Sequence, residues 1–164
     1  MSKLPELPSH PTPRLGQWSL RITGLVRNEL EMEIGDIRKL PAVSLTFDFQ
    51  CLEGWAVENT VWQGARVAEI IRLADPMEEA QYAVFRSGDF SECFHLRTVM
   101  ESDMVAAYSY MGKPLTPEHG GPVRLVFPSQ ACYQSIKWLE EIRLVKEFEK
   151  GSAREIALGR IGRL

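Results

Sequence analysis

Short apolar segments recur along the chain, and in most of them apolar and polar residues alternate. The clearest case is residues 45–51, where Leu45, Phe47, Phe49 and Cys51 share one face because alternate side chains of a strand point the same way. Gly and Pro residues between the segments mark turns. This pattern is typical of half-buried β-strands and predicts a strand-rich fold.

The remaining elements follow from the same periodicities. Alternation on either side of Arg27, Asn28 and Glu29 predicts a β-hairpin, and a short helix is expected after it over residues 34–39. Apolar residues at helical spacing predict an amphipathic helix over residues 65–74, and a short helix is expected over 98–103. Further strands are predicted over residues 82–85, 93–96, 105–110, 123–127 and 139–145. The expected fold class is mixed α/β (α+β), with more strand than helix.

The chain length and its proline distribution predict one folded body with two short extensions. A chain of 164 residues is long enough to bury the core of a single domain without disulfides. Four prolines within residues 1–14 predict an extended arm there, because proline fixes φ and removes a hydrogen-bond donor. The body is expected over residues 15–150. Residues 151–164 are predicted to be a weakly amphipathic tail that packs on the body or on a partner.

Charge and cysteine content exclude several classes of protein. A net charge of −3 argues against a main partner that is nucleic acid or an anionic membrane. The sequence has no apolar run of the roughly 20 residues that a transmembrane helix needs, and its first residues lack the apolar stretch of a secretory signal. Cys51, Cys93 and Cys132 form no CxxC pair. We therefore expect a cytoplasmic chain without a transmembrane segment.

Cys51 is the first candidate for chemistry. It ends the predicted strand 45–51 and precedes Gly54 and Trp55, so its thiol is expected to be half buried and still reachable. The alternative is that Cys51 acts as a small core residue, as lone cysteines on apolar strand faces often do.

The second candidate is the loop from His119 to Arg124. Gly120 and Gly121 let backbone N–H groups approach a bound group closely, as in phosphate-binding loops. Arg124 begins an apolar strand, where a fixed anionic partner would offset the cost of burying a guanidinium. The alternative is a structural ion pair of Arg124 with a carboxylate such as Glu118.

Two further segments carry polar groups at the ends of predicted strands. Ser135, Ile136 and Lys137 precede the last strand, and Lys137 with Arg124 offers the positive charge that a phosphate monoester requires. Ser87 follows Arg86 in a turn, where its hydroxyl could bond a heterocycle or could simply belong to the turn.

Taken together, these segments resemble the molybdopterin-binding domain of the sulfite oxidase family. The resemblance runs from about residue 18 to residue 145 and rests on FQCLEGW (49–55), WQG (62–64), HGGPVRLVFP (119–128) and SIKWL (135–139) in that order. It implies that family's mixed α/β fold and its cofactor, Mo-molybdopterin.

The resemblance also implies roles for individual residues. Cys51 falls at the position of the molybdenum ligand, and a soft thiolate suits that metal. Arg124 and Lys137 match the residues that hold the cofactor, with main-chain contacts from Ser135 and Ile136. His119 and Ser87 match positions that face the pterin. Trp55 and Arg86 are weaker candidates for the substrate entrance.

The implied function is oxygen-atom or two-electron transfer on a small substrate such as a sulfoxide or sulfite, with an external haem or flavin protein as the electron-transfer partner. Sulfite oxidases usually carry arginines just after the metal-binding cysteine, whereas this chain has the pattern Cys51-x-Glu53-x-Trp55, which is closer to the bacterial branch that includes methionine-sulfoxide reductases. Two alternatives stay open. One is a non-catalytic carrier of molybdopterin, and the other is a thiol hydrolase with Cys51 as nucleophile and His119 as base.

Overall fold

Ten strands form two sheets in the computed structural model, which describes residues 18–50, 56–128 and 134–160. The strands are β1 (Leu20–Gly24), β2 (Leu30–Met32), β3 (Ala42–Gln50), β4 (Ala56–Arg66), β5 (Tyr82–Ser87), β6 (Phe90–His95), β7 (Val105–Tyr110), β8 (Lys113–Pro114), β9 (Arg124–Val126) and β10 (Glu141–Val145). The helices are α1 (Ile34–Arg38), α2 (Val67–Ala74), α3 (Leu96–Glu101) and α4 (Ala153–Arg160), with a 3₁₀ helix over Pro117–His119. The fold is the strand-rich α+β domain that the sequence predicts.

The first sheet has the strand order β2-β1-β10-β5-β6. β1 and β10 are parallel, with Ile22 opposite Ile142, and the other neighbours in this sheet are antiparallel. β5 and β6 are joined by a two-residue turn at Gly88 and Asp89, with Ser87 opposite Phe90. Ser87 therefore lies at the end of the hairpin.

The second sheet has the order β3-β4-β7-β8, and β9 also pairs with β7. Gly64 is required where β4 crosses β7, because a Cβ at this position would lie 2.1 Å from the carbonyl oxygen of Ala106. The register of β3 and β4 shifts between Phe47 and Phe49, and Asn59 on β4 has a φ of 52°. The long β3–β4 pair is therefore irregular near the end that leads to Cys51.

Two apolar clusters form the core. The larger cluster joins both sheets and α2, and it includes Ile22, Ile70 and Leu125. The smaller cluster lies within the second sheet and consists of Phe49, Val57, Trp62, Val105, Ala107, Leu115 and Val126. Burial along β3 alternates and ends with Phe49 fully buried, as a strand with period two requires.

Most predicted elements are present, with shifted ends. The hairpin, the helix after it and the strand over residues 105–110 are confirmed. The predicted helix 65–74 begins only at Val67, because Ala65 and Arg66 still pair with β7. The predicted helix 98–103 is displaced two residues towards the amino terminus, to Leu96–Glu101. β4 is the main element that the sequence pattern did not predict.

The start of the predicted tail packs on the body. Ala153 is fully buried, and the Ser152 Oγ accepts a hydrogen bond from the backbone N–H of Ser91 at 3.0 Å. The predicted arm, residues 1–14, lies outside the described residues. Within the described part of the chain, no helix is long and apolar enough to cross a membrane.

Candidate functional site

The structure describes six of the seven predicted site residues. Cys51 lies outside the described residues, as does Trp55. The last described residue before this gap is Gln50, which pairs with Ala56 across β3 and β4. The placement of the Cys51 thiol therefore stays a prediction. The geometry of the site is described by the other six residues, which belong to β5, the loop before β9, β9 itself and the segment 135–137.

Arg124 is buried beneath the loop that precedes it. Its side chain leaves the first residue of β9, and the residue is only 2% exposed. The guanidinium carbon lies 4.9 Å from the ring centroid of Phe49 and 5.3 Å from that of Trp62. Such contacts place a cation on the negative faces of two aromatic rings. The charge is thereby fixed inside the smaller apolar cluster.

Hydrogen bonds to residues on either side of β9 orient this guanidinium. Nε donates to the Ser135 Oγ at 2.7 Å, and Nη1 donates to the carbonyl oxygen of His119 at 3.2 Å. Because one acceptor precedes β9 and the other follows it, Arg124 connects both segments on which the sequence places cofactor contacts.

The segment that carries Lys137 runs alongside β9. The N–H of Leu125 donates to the carbonyl oxygen of Ile136 at 3.0 Å, and the N–H of Leu139 donates to the carbonyl oxygen of Val123 at 3.0 Å. These bonds bring Ser135, Ile136 and Lys137 beside Arg124. Ile136 is buried, and its carbonyl group takes part in this pairing.

Gly120 lies between the stems of the two cationic side chains. Its φ is +96°, and a Cβ there would lie 2.7 Å from Lys137 Cγ, 2.8 Å from Lys137 Cβ and 3.2 Å from Arg124 Cδ. The neighbouring Gly121 is equally constrained, since its Cβ would lie 2.2 Å from the carbonyl oxygen of Leu115. Both glycines are therefore needed for the packing of this loop against Lys137, Arg124 and Leu115, and close approach of their backbone N–H groups to a bound group stays a prediction.

His119 ends the 3₁₀ helix and is partly buried. Its Nδ1 lies 3.1 Å from the Thr116 Oγ1, within hydrogen-bond distance. A hydrogen bond at one ring nitrogen fixes the orientation of an imidazole. Glu118 beside it is exposed, and hydrogen bonds from its own backbone N–H and from Thr116 lower the pKa of its carboxyl.

Ser87 lies at the end of β5, next to the segment that follows Lys137. It is buried, and the carbonyl oxygen of the preceding Arg86 accepts the N–H of Glu140 at 3.0 Å. Residues 135–141 thus run from β9 in the second sheet to the end of β5 in the first. This segment connects Ser87 with the Arg124 side of the site.

Arg86 forms ion pairs with two consecutive carboxylates. Its Nη1 lies 3.4 Å from Glu140 Oε2, and its Nε lies 3.2 Å from Glu141 Oε1. Burial raises the pKa of Glu141, but hydrogen bonds from Arg86 and Thr23 and the charges of Arg86 and Arg21 outweigh this, so the pKa lies below its usual value. The positive charge of Arg86 is thus largely compensated.

Sequence reasoning missed the residues that hold the charged groups in place. Phe49 and Trp62 enclose Arg124, and Thr116 orients His119. Trp138 donates hydrogen bonds to the carbonyl oxygens of Pro117 and Gly120. The period-two pattern indicated that Phe49 is a core residue, but its contact with an arginine depends on tertiary structure.

The described side chains fit a ligand with a phosphate group. The side-chain stems of Arg124 and Lys137 lie against Gly120, and the Ser135 hydroxyl accepts a hydrogen bond from the Arg124 guanidinium. Cationic side chains beside a glycine-rich loop are usual features of phosphate sites. The phosphate of a molybdopterin is of this chemical class.

Comparison with known proteins gives the same assignment. A family model described as "Oxidoreductase molybdopterin binding domain" matches residues 8–153. An uncharacterised oxidoreductase of Bacillus subtilis, YuiH, is 34% identical over 136 residues, which cover 82% of this chain and 69% of that protein. Sulfite oxidase of Arabidopsis thaliana is 30% identical over 173 residues, with 84% of this chain and 44% of that protein covered.

A more distant relative is similar in sequence, and a solved structure is similar in fold. The catalytic subunit MsrP of the protein-methionine-sulfoxide reductase of Campylobacter jejuni is 27% identical over 153 residues, which cover 82% of this chain and 51% of that protein. The sulfane dehydrogenase SoxCD of Paracoccus pantotrophus has a similar fold, with a TM-score of 0.77 and 22% identity over 87% of this chain and 41% of that one. The chain thus spans about half the length of MsrP and less than half of the sulfite oxidase.

The resemblance seen in the sequence is confirmed, and with it Mo-molybdopterin as the cofactor of this kind of domain. The chain belongs to the oxidoreductase molybdopterin-binding domain family.

Proposed function

We propose that this chain holds Mo-molybdopterin and catalyses oxygen-atom or two-electron transfer on a small substrate such as a sulfoxide or sulfite. The proposed site consists of Cys51, Ser87, His119, Arg124, Ser135, Ile136 and Lys137, with Cys51 as the metal ligand and catalytic residue. The main observation in support is that the stems of Arg124 and Lys137 lie against the same glycine, Gly120.

In this proposal, Arg124 and Lys137 have different tasks. Arg124 is buried and fixed by Ser135 and His119, so it supplies positive charge from beneath the loop. Lys137 is partly exposed, and its flexible ammonium group makes the direct contact with a phosphate oxygen. Because the Ser135 oxygen accepts the Arg124 hydrogen bond, its own O–H can donate to the same phosphate.

The other residues orient the pterin and bind the metal. Thr116 holds the His119 ring, and the buried hydroxyl of Ser87 offers a hydrogen bond at the end of β5. Cys51 binds the metal as a thiolate, so its proton leaves on binding. When bound, the cofactor supplies a metal centre that exchanges one oxygen atom and two electrons with the substrate.

We favour an uncharged sulfoxide over the sulfite dianion as the substrate. A dianion needs cationic side chains near the reacting atom, but the residues after Cys51 are Leu52, Glu53, Gly54 and Trp55. Arg86 is already bonded to Glu140 and Glu141. Reduction of a sulfoxide to a thioether takes two electrons and two protons and releases water.

Those two electrons must come from another molecule, and we propose a separate haem or flavin protein in the cytoplasm as their source. Fractionation of cells that make the tagged chain tests the location.

The first experiment measures molybdenum and pterin per chain after expression in a cell that makes the cofactor, with a known molybdenum enzyme loaded in parallel. We expect close to one of each per chain. The loaded protein is then mixed with a reduced dye and either dimethyl sulfoxide or sulfite, and faster turnover is expected with the sulfoxide. Bound molybdenum without turnover on either substrate would favour the carrier, and a preparation without molybdenum would favour the thiol hydrolase.

A further inference from the structure

Trp138 has a backbone conformation that is rare for a large side chain. Its φ is +51°, in the left-handed region that favours glycine, and the residue is 4% exposed. A conformation of this kind persists only when surrounding contacts impose it. Trp138 directly follows Lys137 in the sequence and precedes β10.

The contacts that impose this conformation are with the loop that precedes β9. The backbone N–H of Trp138 donates to the carbonyl oxygen of Gly120 at 2.9 Å. The indole Nε1 donates to the carbonyl oxygen of Pro117 at 2.6 Å. One residue therefore holds both ends of the turn over residues 117–120.

These two bonds lie next to the contact between Lys137 and Gly120. The side-chain stem of Lys137 lies so close to Gly120 that no Cβ fits there, and the next residue is bonded to the carbonyl oxygen of that same glycine. Arg124 holds the loop from its other side through the carbonyl oxygen of His119. Trp138 therefore bonds the loop that carries His119 and Gly120 to the segment that carries Lys137.

We infer that Trp138 is a positioning residue that fastens the loop 117–120 to the Lys137 segment and so keeps the anion site assembled before any ligand arrives. A preassembled site retains its ligand longer, because binding then orders fewer groups. The identity of the ligand rests on the proposed function, whereas the fastening of the loop does not.

The test compares two tryptophans in the full-length chain. Trp138→Phe keeps an aromatic ring and removes the bond to Pro117. Trp18→Phe is the control for the loss of a buried indole hydrogen bond on the Lys137 side alone, because Trp18 is similarly buried and its Nε1 donates at 2.9 Å to the carbonyl group of Leu139 and not to the loop 117–120. Both variants are measured for hydrogen exchange of the amides of residues 117–121 without cofactor, for thermal unfolding, and for the rate of molybdopterin release from the loaded protein.

We expect Trp138→Phe to speed both loop exchange and cofactor release by roughly two- to tenfold, the range that one net hydrogen bond represents. Trp18→Phe should lower the melting temperature by a similar amount and change neither rate. Unchanged loop exchange in Trp138→Phe would overturn the inference, and so would faster exchange with normal cofactor release. A wild-type chain that binds no molybdenum would refute the proposed function instead, and loop exchange would then still decide the role of Trp138.

Discussion

The Ser135 hydroxyl lies 2.7 Å from Nε of Arg124, eleven residues earlier in the chain, and the bond is buried. It joins β9 to the segment that carries Lys137 and fixes the direction of the guanidinium between the rings of Phe49 and Trp62. The most strongly held charge of the candidate site is therefore also part of the packed core.

Arg124→Ala should for this reason affect both stability and cofactor content. The substitution leaves the Ser135 hydroxyl and the His119 carbonyl oxygen without this donor and opens a cavity between two rings, so a loss of about 3 kcal/mol in the free energy of unfolding is expected. Urea unfolding of the protein without cofactor measures this. Molybdenum content measured in parallel should fall to a small fraction of that of the wild type.

Lys137→Ala and Arg27→Ala separate the effect on stability from the effect on cofactor content. Lys137→Ala should reduce cofactor retention by roughly ten- to hundredfold, since one charge-assisted bond is lost, with little change in unfolding. Arg27→Ala should change neither quantity, because Arg27 is half exposed and its ion pair with Asp75 lies at the surface. Normal cofactor content in Arg124→Ala, combined with lowered stability, would reassign Arg124 to a purely structural role.

Gly120→Ala should disrupt the site more than Gly112→Ala does. Both glycines have positive φ, +96° and +82°, so both substitutions carry the cost of the left-handed region, about 1–2 kcal/mol. Only at Gly120 would the new Cβ also meet Lys137 and Arg124, whereas no atom lies within 4 Å of a Cβ at Gly112. An additional loss of about 1–3 kcal/mol and reduced molybdenum content are expected for Gly120→Ala alone. Equal unfolding curves for the two variants would show that the close approach at Gly120 is unimportant.

Cys51→Ser should abolish redox turnover while the protein still folds, because the substitution nearly keeps the volume and removes the soft metal ligand. Cys93→Ser is the internal control: Cys93 is buried, and burial raises the pKa of its thiol, which keeps it protonated. Cys93→Ser and Cys132→Ser should leave the electronic spectrum of the metal unchanged. A normal spectrum and normal turnover in Cys51→Ser would contradict the ligand assignment.

Glu141 should make the stability of the protein depend on pH in the acid range. The pKa of its carboxyl is lowered in the folded protein, because the hydrogen bonds and charges of Arg86, Thr23 and Arg21 outweigh burial. The carboxylate therefore stabilises the fold above its unfolded-state pKa of about 4.3, and this contribution is lost as the pH falls through the lower folded-state pKa. Glu141→Gln should cost about 1.5 kcal/mol at pH 7 and progressively less below pH 4 in urea unfolding.

Glu155→Gln serves as the comparison for this pH dependence. Its ion pair with Lys150 is exposed, so no measurable change is expected. A deficit of Glu141→Gln that stays the same from pH 7 to pH 3 would mean that packing, and not charge, accounts for the effect.

Local patterns in the sequence predicted several of the elements. Strand β1 of the hairpin follows from alternation, since its burial alternates from Leu20 to Ile22, whereas β7 follows from an apolar run that begins with three consecutive buried residues. β4 escaped prediction because Asn59 has positive φ and the run of buried residues changes phase around it. The small residue Gly64 further weakens its apolar pattern, although that glycine is what lets β7 approach.

For the site, the kinds of residue were predictable and their surroundings were not. The positive charges of Arg124 and Lys137 and the two glycines indicate an anion site from the sequence. That Arg124 is enclosed by Phe49 and Trp62 depends on pairing between β3, β4 and β7, which joins residues far apart in the chain. The bonds of Trp138 likewise depend on its backbone conformation, which no residue preference predicts.

The parallel pair of β1 and β10 determines when the first sheet can form during protein synthesis. The centre of the first sheet combines the earliest and the latest strand of the domain, with Ile22 opposite Ile142. The ribosome must therefore translate past Val145 before this sheet can close, and pairings of such long sequence separation form slowly. The segments that carry Arg124 and Lys137 are therefore both synthesised before the first sheet can close.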